Sequence, residues 1–183
     1  ADPRLAARPH AAHAARDETL FALANGALGV RGGFEESSSS TQGSFLCGVW
    51  ERAPIHYHER HFGFARNTDT RLPVAEATAV RIRLGDVHID PTQDELLAFN
   101  RVLDLREGKL VRFLRWRTVQ GHTFELETER IAPIAHAGLL CIRLRLRSID
   151  YVGPVAFESS ISGIQAAAAQ GDDLQRVLAR AAQ

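Results

Sequence analysis

"LVRFLRWRTVQGHTFELETER", Leu110–Arg130, holds two runs rich in β-branched and aromatic residues on either side of Val119-Gln120-Gly121-His122. A Gly-bearing break between such runs signals a strand, a turn and a second strand. In the second run Phe124, Leu126 and Thr128 alternate with Glu125, Glu127 and Glu129, a period of two. Downstream, "LLCIRLRLR" (Leu139–Arg147) repeats the pattern with the opposite charge. Leu140, Ile142, Leu144 and Leu146 face one way, and Cys141, Arg143, Arg145 and Arg147 the other. On adjacent antiparallel strands the acidic and basic ladders pair across one solvent face. An exposed pair contributes at most about 1 kcal/mol, so the ladders speak to register more than to stability.

Upstream, "AVRIRLGDVHI" (Ala79–Ile89) sets Val80, Ile82 and Leu84 against Arg81 and Arg83, then breaks at Gly85-Asp86, a hairpin signature. "VAFESSI" (Val155–Ile161) is a further strand candidate. Short strands joined by Gly-bearing turns, without helices between them, predict an all-β fold, a large antiparallel β-sandwich. Residues 1–16 are mostly Ala, Arg, His and Pro and read as a loose lead-in, leaving 17–163 for the sandwich. Residues 164–183 are Ala-rich, with Asp172 or Asp173 as a cap and Leu174, Val177 and Leu178 at helical spacing, and read as a helical linker.

A chain of 183 residues with 45% hydrophobic and 24% charged residues has the size and composition of one folded domain. Lys plus Arg equals Asp plus Glu at 22 each, so there is no positive field to draw nucleic acid or an anionic membrane. Cys47 and Cys141 stand among apolar neighbours and are too few for a disulfide framework, so both are expected as free buried thiols. The chain lacks a stretch of about 20 apolar residues and a signal-like apolar core, which places it in the cytoplasm by expectation. It also has no methionine, as in a processed product or an excerpt of a longer chain.

"NGALGVRGGFEE" (Asn25–Glu36) packs four glycines and two carboxylates together. The glycines do not follow G-x-G-x-x-G and no Gly-Lys-Ser/Thr ends the run, so phosphate binding has no pattern here; Asn25-Gly26 reads as a tight turn. A glycosidase pair must face across a sugar bond at roughly 5–10 Å, whereas neighbours on a strand point to opposite faces. Glu35 and Glu36 are therefore expected at a solvated hairpin end. In "HYHERHFGF", His56 and His58 share a strand face and suit zinc, with His61 or Glu59 curling back, but structural zinc sites favour cysteine-containing sets. The segment is expected instead as a polar-aromatic loop lining a cleft, without metal. Ser37–Ser40 lack the G-x-S-x-G elbow and read as a flexible loop.

Taken in order, these segments resemble one family. "ETLFALANGALGVRGGFEE" (Glu18–Glu36), "GSFLCGVW" (Gly43–Trp50), "FNRVLDLREGKLVRFLRWRTVQG" (Phe99–Gly121) and "ETERIAPIAHAGLLCIRLRLRSIDYVGPVAFESSISG" (Glu127–Gly163) are similar to successive stretches of the N-terminal domain of glycoside hydrolase family 65. That family holds maltose, trehalose and kojibiose phosphorylases and acid trehalases. "RLPVAEATA" (Arg71–Ala79) departs from the family's Val-Asn-x-Pro-Asn-like segment.

The resemblance implies a twisted β-sandwich, a helical linker and then an (α/α)6 barrel that carries the general acid. It implies no catalytic residue and no cofactor in this chain, inorganic phosphate as co-substrate of the parent enzyme if that enzyme is a phosphorylase, and an α-linked glucose disaccharide as its substrate. It also implies contact with the barrel and pairing of subunits as a homodimer. His56, His58, His61 and Phe62 are the candidates for a loop at the barrel mouth. A different class, a stand-alone carbohydrate-binding module, offers Trp50, Tyr57 and Trp116 as stacking residues, although Trp is highly buried on average.

Overall fold

The computed structural model describes residues 4–6, 14–36, 43–59, 61–90 and 94–161. In chain order the elements are β1 (Arg4–Ala6), α1 (Ala14–Leu20), β2 (Leu23–Ala24), β3 (Leu28–Val30), β4 (Ser44–Pro54) and β5 (Asn67–Val74). They continue with β6 (Val80–Leu84), β7 (Val87–Ile89), β8 (Glu95–Asp104), β9 (Lys109–Arg117), β10 (Thr123–Ile131), β11 (Cys141–Ser148) and β12 (Val155–Ser159). The segment read as a lead-in thus contributes β1, a short edge strand paired with β8, and the start of α1. The helical linker at 164–183 and the loop Ser37–Ser40 lie outside the described residues.

Every strand pair is antiparallel. The main sheet is five-stranded in the order β1-β8-β9-β10-β11, and two smaller sheets run β12-β6-β7 and β2-β3-β4-β5. The β9–β10 hairpin forms where the sequence places it, and its turn carries Gly121 at φ 89°. In such left-handed backbone a Cβ is strained. The ladders also pair as the alternation requires: Glu125 lies opposite Arg147, Glu127 opposite Arg145 and Glu129 opposite Arg143.

Two apolar clusters join the layers into a β-sandwich. Ile82, Leu84 and Ile89 of the three-stranded sheet meet Leu114, Trp116, Phe124 and Leu126 of the main sheet. Phe21, Leu23 and Val30 meet Leu103, Leu110 and Ala132. Burying side chains of this kind contributes roughly 1.5–3 kcal/mol each. Trp116, a stacking candidate in the sequence, is fully buried and stacks on Phe124 with ring centroids 5.6 Å apart, so it is core.

The cysteines correct the sequence reading, since both are free but exposed. Cys141 shares its strand parity with Arg143, Arg145 and Arg147, so the alternation that turns those arginines to solvent turns it outward too. Cys47 sits where the β4–β5 register breaks, and there it reaches the surface.

Candidate functional site

Between the two apolar clusters the inner face of the main sheet is cationic. Arg112 of β9 lies opposite Arg101 of β8 on one side and Thr128 of β10 on the other, and Arg130 follows Thr128 on the same face. All three arginines are buried. Like charges facing each other across strands repel, and an unpaired buried charge costs several kcal/mol, so this band needs carboxylates.

They come from α1 and from "RGGFEE" (Arg31–Glu36). Arg112 donates to both oxygens of Glu36, with Nη2 2.6 Å from Oε2, and to Glu35 Oε2 at 2.6 Å. Arg130 Nε donates to Glu35 Oε1, while its terminal nitrogens donate to the carbonyls of Arg31 at 3.0 Å and Gly33 at 2.6 Å. Arg101 Nη2 donates to Asp17 Oδ2 at 3.1 Å. Three arginines are thereby balanced by three carboxylates. Phe21 and Phe34 cover the band, with ring centroids 4.0 Å from the Arg101 guanidinium carbon and 4.4 Å from that of Arg112. Gly32 allows this closeness, since a Cβ there would stand 2.6 Å from Phe21 Cβ.

Glu35 and Glu36 are therefore not a solvated hairpin end. They lie at a turn rather than on a strand, so neighbouring side chains need not diverge, and both reach the same guanidinium. Burial alone would raise the Glu35 carboxyl, but the charges of Arg130 and Arg112 override it and hold the carboxyl at about 2. Burial likewise works against the Arg112 charge, and Glu36 with Glu35 outweighs it, raising Arg112 above its ordinary value. Arg101 is shifted down, by burial first, with Asp17 opposing.

The outer surface offers a different arrangement along the β4–β5 hairpin. Phe45 pairs with Pro73 and Trp50 with Arg71, so Leu46–Val49 lie opposite Leu72 alone, in a bulge with Gly48 at φ 85°. Trp50 is 56% exposed, and the Arg71 guanidinium carbon lies 5.4 Å from the Phe45 ring centroid. An open depression of about 500 Å³ runs along this edge to the Asn25–Leu28 turn. Asn25 builds that turn, since its Oδ1 accepts from Ala27 N and Leu28 N at 3.1 and 3.0 Å while Nδ2 donates to Pro133 O at 3.2 Å.

At the tip of the hairpin His56, His58, His61 and Phe62 are all exposed. The Phe64 ring contacts Tyr57 and His61 at 4.9 and 5.4 Å. Among the described residues no group of three or more His, Cys, Asp or Glu side chains is placed to hold a metal ion, and no helix is long and apolar enough to cross a membrane.

The model of glycosyl hydrolase family 65, N-terminal domain, matches residues 7–182. The chain belongs to this family. It is 32% identical over 153 residues to an alpha,alpha-trehalose phosphorylase of Thermoanaerobacter brockii, covering 81% of this chain and 20% of that protein. A kojibiose phosphorylase of Halothermothrix orenii is 25% identical over 148 residues, or 80% of this chain and 17% of the relative. The solved structure described as "Putative kojibiose phosphorylase from human microbiome" superposes with a TM-score of 0.66 at 23% identity, over 79% of this chain and 20% of that one. The chain thus spans about a fifth of the length of the curated relatives it matches.

Within this family 65 domain, the hairpin tip holds the four loop residues singled out in the sequence at the surface. The clamp of Arg101, Arg112 and Arg130 on Asp17, Glu35 and Glu36 escaped the sequence reading. A signal for it exists: Arg112 has the parity of Leu110, Leu114 and Trp116, and Arg130 that of Phe124 and Leu126. An arginine at an inward position requires a buried acid.

Proposed function

We propose that this chain is the non-catalytic N-terminal β-sandwich of a glycoside phosphorylase or hydrolase acting on α-linked glucose disaccharides, and that it braces a catalytic barrel and helps pair subunits. The supporting observation is the state of Glu35 and Glu36, the adjacent buried acids that close on Arg112. Cleaving a glycosidic bond with inversion requires a carboxylic acid that still carries a proton near neutral pH, and such an acid has a raised pKa. Glu35 is held at about 2 by Arg130 and Arg112, and both glutamates are closed off from solvent. Their chemistry is that of a structural clamp. Phosphate, where the parent uses it, would meet the sugar in the barrel.

The test is turnover of trehalose, maltose, kojibiose and nigerose by this chain, with and without phosphate, following glucose and glucose 1-phosphate. No turnover is expected, and clear turnover would overturn the proposal. The hairpin tip with His56, His58, His61 and Phe62 is assigned to the barrel mouth on its exposed polar-aromatic character. Replacing that tip in the full-length parent is expected to change disaccharide kinetics, and unchanged kinetics would remove the assignment.

A further inference from the structure

We propose that the bulged ledge around Trp50 is a saccharide-binding subsite that takes a glucose-containing oligosaccharide. A β-bulge re-aims side chains and interrupts pairing. Here it leaves a large indole half-exposed on a surface where a soluble domain would otherwise bury it. Gly48 lies against the ring: a Cβ there would stand 3.8 Å from Trp50 Cζ3, ordinary contact, while its positive φ disfavours any side chain.

Directly across from Trp50, Arg71 rests over the Phe45 ring. One rung further on the same face, Arg52 Nε donates to Asp69 Oδ1 at 2.9 Å. The ledge therefore presents an apolar plate, a ring-stacked guanidinium and an ion-paired carboxylate in sequence along one hairpin face. Trp50, Arg71 and Asp69 also line the open depression of about 500 Å³, within the roughly 300–1,000 Å³ of small-ligand clefts.

These groups match the two-sided chemistry of a pyranose. Its C–H face lies flat on an indole, and its equatorial hydroxyls, each donor and acceptor, bridge guanidinium N–H groups and carboxylate oxygens. Arg52 and Asp69 offset each other, and the indole plate beside hydroxyl-matching donors and acceptors suits a hydroxyl-rich ligand. The choice of a glucoside rests on the functional reading above.

The chain has two tryptophans, and Trp116 is fully buried, so a ligand-induced change in indole fluorescence reports on Trp50. Titration with maltose, trehalose and kojibiose, with an acyclic polyol as control, is expected to give a saturable change for the sugars alone. Trp50→Ala is expected to abolish it, and Arg71→Ala to weaken it about tenfold, the scale of losing a central contact, with the melting temperature of both variants near that of the parent. A flat titration, an equal response to the polyol, or sugar binding retained by Trp50→Ala (followed calorimetrically) would overturn the proposal. The two ideas fail separately: a flat titration leaves the non-catalytic assignment standing, and turnover by this chain ends that assignment without touching the ledge.

Discussion

Arginine–glutamate pairing stands in two contrasting settings, across the middle of the sandwich and in the ladder on its outer face. Outside, Arg143, Arg145 and Arg147 reach Glu129, Glu127 and Glu125 at 2.7, 3.2 and 3.4 Å, with every arginine more than half exposed. Inside, Arg112 and Arg130 close on Glu35 and Glu36 with side chains at most 3% exposed. Similar distances carry different consequences. Water screens the outer pairs and replaces a lost partner, whereas inside nothing does, so each charge makes the others obligatory. The ladder selects a register; the clamp fixes where the segment after β3 must sit against the main sheet.

The largest expected effect comes from removing the clamp's centre. Arg112→Met leaves Glu35 and Glu36 without their shared cation and is expected to cost about 3–5 kcal/mol in urea unfolding. A cost under about 1 kcal/mol would erase the distinction between the two regions. Next is acid. Glu35 sits at about 2 in the fold against 4.5 ordinarily, so as pH falls the unfolded chain takes up the proton first. The stabilisation is complete above the ordinary carboxylate range and drains away toward pH 2, a loss on the order of 3 kcal/mol. Unfolding free energies across that window should show the slope, and Glu35→Gln should flatten it, lowering stability above the ordinary carboxylate range and converging on the parent toward pH 2.

Gly32→Ala tests whether the close approach to Phe21 is needed, since the added Cβ meets backbone and Cβ at 2.6–2.7 Å. A loss of about 1–3 kcal/mol is expected. Smallest is Arg145→Ala on the outer ladder, expected below about 1 kcal/mol and shrinking further in high salt. A larger, salt-insensitive loss would make the ladder a second clamp.

The contrast also explains what the sequence revealed. The ladder and the hairpins at Gly85 and Gly121 were legible because period two fixes both the exposed face and the neighbour across a short turn. The family was legible from the order of its segments, with the match running over residues 7–182. The clamp was not read, because its partners lie 76–95 residues apart and because Glu35 and Glu36 leave the strand geometry on which alternation depends. Cys141 was misplaced by weighing its apolar neighbours above its parity, although the same alternation correctly turned Arg143 outward. Trp50 differs again: its exposure follows from a register break that only the pairing with β5 makes visible.

Titration of the Glu35 side-chain carboxyl by carbon-13 NMR in the folded chain tests most directly that these acids are architecture and not chemistry. A carboxyl that stays ionised until about pH 2 is the predicted result. A midpoint at or above the ordinary 4.5 would mean that Glu35 is free to hold a proton, and the pair would then have to be treated as a candidate acid.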